Sequence, residues 1–231
     1  QDTASTSNLC AILSARERKT GFRTNMQGLA GVSGLTGYCS VEAHSSVVKG
    51  AKIAGFGEEY VRRIGVDRKL AMDPELLEQA INNDLEKGLT PTFIVGAGGT
   101  TGTLAIDPLR AIGHIAQKYG IWYHIDAAYL GNVGILPEKR HLLDGIEMAD
   151  SYVFNPHKWM FTNFDLSAYF VKDPESLIKT FELTPEYLKT ASDRHVNNYK
   201  DWGIQLGRRF RALKLWFVLR SFGLDGIREQ F

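Results

Sequence analysis

Asp107-Pro108-Leu109-Arg110-Ala111-Ile112-Gly113-His114-Ile115-Ala116-Gln117-Lys118-Tyr119-Gly120-Ile121-Trp122-Tyr123-His124-Ile125-Asp126 changes its hydrophobic period half-way along. Asp107-Pro108 reads as an N-cap followed by a proline at the first helical position. Leu109, Ile112, Ala116 and Tyr119 form an inward stripe, and Gly120 is the stop. Ile121 to Ile125 then reads as a buried strand. The same unit occurs upstream. Asp73-Pro74 opens a helix with a stripe of Leu77, Ala80, Ile81 and Leu85, Gly88 ends it, and Thr92 to Ala97 reads as a strand. Ser151 to Phe154 and Ser167 to Val171 supply two further strands. Strands alternating with capped helices predict an α/β domain with a largely parallel sheet.

The remainder of the chain fits one such domain. Its 231 residues can bury a substantial core. With 44% hydrophobic and 23% charged residues and a formal net charge of +1, it offers no electrostatic case for nucleic acid or an anionic membrane. No apolar run approaches the roughly 18 residues of a membrane span, and no signal peptide is visible. Cys10 and Cys39 cannot build a disulfide framework or a zinc site, and reduced, partly buried thiols fit the cytosol. Arg208 to Lys214, with Phe210, Leu213 and Phe217 at helical spacing, reads as an amphipathic helix with a solvated face rather than a polyanion site. Arg23 to Gly37, rich in Gly, Ser and Thr, reads as a surface loop, and Thr190 to Lys200 as a mobile one.

Two strand ends carry the chemistry. Asn155-Pro156-His157-Lys158-Trp159 follows a strand that Pro156 prevents from continuing. A lysine among Val153, Phe154, Trp159, Met160 and Phe161 is desolvated, which favours the neutral amine that forms a Schiff base. The plain alternative is a snorkelling lysine. His124-Ile125-Asp126-Ala127-Ala128-Tyr129 ends another strand. An aspartate among small and apolar residues needs a cation if it is buried, although a turn or cap role would also place an aspartate here. Lys158 lies 32 positions beyond Asp126, one strand and one helix further on. An aspartate and a lysine on such ends are the pyridinium partner and Schiff-base lysine that pyridoxal phosphate requires.

With Ala43-His44-Ser45-Ser46-Val47, Gly99-Thr100-Thr101, Arg140-His141-Leu142-Leu143, Pro185-Glu186-Tyr187-Leu188-Lys189 and Leu206-Gly207-Arg208-Arg209-Phe210, these motifs are spread along the chain from Ala43 to Phe210. In order and composition they resemble the group II pyridoxal-phosphate decarboxylases, in particular the aromatic L-amino-acid branch. The resemblance implies a fold type I, aspartate-aminotransferase-like large domain over residues 1–231, with a mostly parallel central sheet flanked by helices. The family's N-terminal segment and C-terminal small domain are not visible here.

It implies further that Lys158 carries pyridoxal 5'-phosphate and that Asp126 partners the pyridine nitrogen. His44 stacks on the ring, with Ala128 on the opposite face. Ala4 and Ser5 at a helix start, with Asn155, meet the phosphate, and Thr101 and His157 lie beside the cofactor. Tyr187 returns a proton to the substrate's α-carbon. An aromatic amino acid is the implied substrate, and a homodimer with active sites at the subunit interface the implied assembly. Two alternatives stay open: an aldehyde synthase, which deaminates the same substrates oxidatively, and a catalytically inactive fragment. His44 and Tyr187 together lean toward simple decarboxylation.

Overall fold

The computed structural model describes residues 1–183 and 199–231. Among the described residues six strands form one sheet: β1 (Leu35–Ser40), β2 (Val61–Ile64), β3 (Thr90–Ala97), β4 (Trp122–Asp126), β5 (Ser151–Phe154) and β6 (Ala168–Val171), in the spatial order β2-β1-β3-β4-β5-β6. Pairing is parallel from β2 through β5, and only β6 runs antiparallel, against β5. The helices are α1 (Ala4–Lys19), α2 (Arg23–Gln27), α3 (Ser46–Ile53), α4 (Pro74–Glu86), α5 (Leu109–Tyr119), α6 (Pro156–Trp159), α7 (Pro174–Phe181) and α8 (Arg211–Arg228), the last broken at Gly223.

Strand alternation sends residues to two cores. On one face Tyr38, Ile94, Tyr123 and Ile125 meet Leu77 and Ile81 of α4 and Leu109, Ile112 and Ala116 of α5. On the other, Cys39, Phe93, Val95 and Trp122 meet Ile12 and Ala15 of α1 and Val47 and Ala51 of α3. The sheet is thus covered on both sides, which is why the central strands β3 and β4 are buried along most of their length. Both cysteines are free and buried, and burial pushes each thiol up to about 12.

Several sequence expectations need correction. The stretch 23–37 is not simply a surface loop: it contains α2 and enters β1, every residue of which is buried. β1 looks like a loop because Gly37 lies under the ring of Phe93, where an added Cβ would come within 2.0 Å of that ring. Asp73 does cap α4, its side chain accepting from the Glu75 and Leu76 N–H groups. Asp107 does not cap α5. Its buried carboxylate accepts instead from the N–H groups of Met72 and Ala97, at 2.7 Å each. Gly120 ends α5 in the left-handed conformation as read, whereas Leu85 of the α4 stripe is exposed. The basic segment becomes helical from Arg211, but Phe210, Leu213 and Phe217 are exposed rather than packed inward. Among the described residues no helix is long and apolar enough to cross a membrane, and no His, Cys, Asp or Glu cluster could hold a metal.

Candidate active site

A cavity of about 190 Å³ opens at the C-terminal ends of the parallel strands. Open α/β sheets place ligands at this edge, since the loops leaving the strands converge there. Its lining includes Ala4 and Ser5 from the start of α1, His44 from the β1–α3 turn, Thr101, Asp126 and Ala128 from the end of β4, and Asn155, His157 and Lys158 after β5. Nine residues singled out from sequence therefore share one cavity. Tyr187, the tenth, and most of the 190–200 stretch lie outside the described residues.

One end of the cavity is lined by the start of α1. Thr3 caps α1, its hydroxyl accepting from the Thr6 N–H, and the first turn contains no acidic side chain. The first N–H groups of a helix have no intrahelical acceptor and carry the positive end of its dipole, which at Ala4 and Ser5 faces this space.

Asp126 supplies a negative group. It is half-buried; its Oδ1 accepts from the Ala128 N–H at 3.1 Å and its Oδ2 from the Asn8 side-chain amide at 2.7 Å. One oxygen holds the local turn while the other meets α1. His44 Nδ1 accepts from the Ser46 N–H at 3.2 Å and lies 2.8 Å from the Ser46 hydroxyl.

Lys158 departs from the sequence picture. It is exposed, not enclosed by apolar side chains, and its Nζ lies 5.8 Å from the centroid of the Tyr129 ring. Pro156 ends β5 and starts the single turn α6, and this turn aims the lysine away from the core and into the cavity mouth. His157 accepts from the Leu166 N–H at 2.9 Å, and burial, seconded by the Lys158 charge, pushes its imidazole below the usual histidine range. Asn155 is buried, its side-chain carbonyl held by the Ser167 hydroxyl and its backbone carbonyl by Asn132.

Sequence reading missed Thr3, Val95, Ala97, Thr100, Tyr129 and Phe164 in the lining, and Asn8 behind it. For Asn8 a signal existed: a carboxamide one turn after Ala4, on the face that α1 buries. The donor set suits a phosphorylated pyridine aldehyde: a helix start for the phosphate, an anion for a ring cation, and a primary amine for the carbonyl.

The model for the pyridoxal-dependent decarboxylase conserved domain matches residues 1–231. The chain belongs to that family. Tyrosine decarboxylase 4 of Petroselinum crispum is 43% identical over 233 residues, covering 99% of this chain and 45% of that protein. Phenylacetaldehyde synthase of a Rosa hybrid cultivar is also 43% identical, over 96% of this chain and 44% of that protein. Among solved structures, Oryza sativa TDC with PLP and tryptamine superposes with a TM-score of 0.94 at 38% identity, covering 99% of this chain and 47% of that one. The chain thus spans about half the length of these relatives, and its architecture is the fold type I sheet with flanking helices expected from the motifs.

Proposed function

We propose that residues 1–231 are the large, cofactor-binding domain of a pyridoxal-phosphate-dependent carboxy-lyase that converts aromatic L-amino acids to arylethylamines and CO₂. The observation that carries this reading is the convergence of Lys158, Asp126, His44 and the α1 start on one cavity at the strand ends. When bound, the cofactor supplies an electron sink for the charge left at the α-carbon as CO₂ departs. Lys158 offers the primary amine for its aldehyde carbon. Asp126, held by the Ala128 N–H and the Asn8 amide, is placed to keep a proton on the pyridine nitrogen. His44 and Ala128 flank the ring. The N–H groups of Ala4 and Ser5, with Asn155, take the phosphate, while Thr101 and His157 line the remaining wall. Tyr187 is assigned, from its motif, the proton returned to the α-carbon.

The relatives support an aromatic substrate: Catharanthus roseus tryptophan decarboxylase, 35% identical with a TM-score of 0.87, was solved with L-tryptophan. We place the protein in the cytoplasm, consistent with two free thiols, and in a homodimer with its sites at the interface. Exposed Phe210, Trp216, Phe217 and Phe222 give such a contact apolar area.

The Rosa synthase favours a second reading, oxidative deamination to the aldehyde, because identity does not separate it from the decarboxylases. Incubation with pyridoxal phosphate and DOPA, tyrosine, tryptophan or phenylalanine tests both. Equal yields of CO₂ and amine support the decarboxylase. Ammonia and peroxide in place of amine assign the synthase. No turnover of any of the four would overturn both and leave a catalytically inactive member of the family.

A further inference from the structure

Behind the cavity, Asn8 sits where α1 crosses the end of β4. It is fully buried, and its carboxamide makes three side-chain bonds. Nδ2 lies 2.7 Å from Asp126 Oδ2 and 2.9 Å from Ser46 Oγ, and Oδ1 lies 2.8 Å from His124 Nε2. These contacts exist because His124 and Asp126, two apart on β4, point to the same face of the sheet, the face α1 covers.

With Asp126 ionised and His124 neutral, elementary donor and acceptor rules orient this set. An ionised Asp126 only accepts, so the group facing it is the Asn8 NH₂. The Asn8 carbonyl then faces His124, which requires the proton on Nε2. Burial pushes the His124 imidazole down to about 4 despite the Asp126 charge, so the ring is neutral and its Nδ1 is an acceptor. That nitrogen takes the Ser151 hydroxyl at 2.8 Å, and Ser151 Oγ in turn accepts from Trp122 Nε1 at 2.9 Å. On the other branch Ser46 Oγ accepts the second Asn8 hydrogen and passes its own to His44 Nδ1. The Ser46 backbone N–H already marks that nitrogen as an acceptor, which leaves the His44 proton on Nε2. No donor meets a donor anywhere in the chain of bonds.

We infer that Asn8 is a positioning residue, one buried carboxamide that orients the Asp126 carboxylate and sets the tautomers of His124 and His44. The inference rests on the proposed role of Asp126 toward the pyridine nitrogen. The Ala128 N–H and the Asn8 amide hold one carboxylate oxygen each, so the plane of the group is fixed before any cofactor arrives. Both holding donors are neutral, so they orient the anion without cancelling its charge. The same carboxamide reaches His44 through Ser46, so two of the residues proposed to contact the ring share one anchor.

Two substitutions separate the branches. Asn8→Asp keeps an acceptor for His124 Nε2 but replaces the NH₂ that Asp126 needs. Asn8→Leu removes all three contacts at similar volume. The protein would be purified with pyridoxal phosphate and ¹⁵N-histidine, with circular dichroism confirming the fold. In the wild type the His124 ¹⁵N shifts should show the neutral Nε2–H form at pH 7; Asn8→Asp should keep it and Asn8→Leu should lose it. In both variants kcat should fall about 10- to 100-fold with KM within about threefold, as expected for loss of a hydrogen bond to a charged group. The pH profile of the cofactor's visible absorbance should shift as well. If Asn8→Leu fails to fold, the Asp variant carries the test alone. An Nδ1–H tautomer in the wild type, or folded variants with wild-type kcat and absorbance, would overturn the inference. No visible band in the wild type would remove the proposed function, and the inference with it.

Discussion

Replacing Asp107 by alanine tests how the strand-end scaffold is held. The carboxylate bonds the N–H groups of Met72 and Ala97 at 2.7 Å each, tying the approach to α4 to the end of β3, where Ala97 reaches the cavity wall. All three residues are buried. Truncation orphans two buried donors at about 1–3 kcal/mol each, a loss of about 2–6 kcal/mol at neutral pH before any relief from removing a buried charge. The effect also depends on pH. Burial raises the Asp107 pKa from 3.8 to about 6. The folded state therefore binds this proton more tightly than the unfolded state does. The associated stability is present below about pH 4, falls as pH rises through the window from 3.8 to 6, and is absent above it. A shift of about two units corresponds to roughly 3 kcal/mol. Urea unfolding of wild type and Asp107→Ala, followed by tryptophan fluorescence at pH 4, 5, 6 and 7, should show a stability gap about 2–3 kcal/mol wider at pH 4 than at pH 7. A gap below about 1 kcal/mol at every pH, or one independent of pH, would refute the reasoning.

Gly37→Ala should destabilise the fold by about 1–3 kcal/mol or more, read as a lower urea midpoint, because the new Cβ would lie 2.0 Å from the buried Phe93 ring. Asp126→Ala should lower kcat by several powers of ten, each about 1.4 kcal/mol, while circular dichroism stays unchanged.

What could be read in the sequence followed from period and punctuation. Ser151–Phe154 and the Asp73-capped helix were visible because alternation, N-cap and proline all agreed. β1 was not, because a strand pressed against an aromatic ring needs glycine and small polar residues, which read locally as a loop. Asp107 has the composition of a cap, but its partners are 10 and 35 residues away, and no local pattern carries that distance. The cavity lining was legible through its ordered motifs, since each strand end contributes a short run. The Asn8 hub was harder to see, as it depends on how α1 crosses β4. Lys158 was found, but its exposure was not, because apolar sequence neighbours need not be spatial ones.

Borohydride trapping tests directly whether Lys158 holds the cofactor. The protein would be saturated with pyridoxal phosphate, reduced with borohydride, digested and mapped by mass spectrometry. One phosphopyridoxyl group is expected, on the peptide containing Asn155 to Trp159 and at Lys158, absent from Lys158→Ala. A label on another lysine, or none in the wild type, would contradict it.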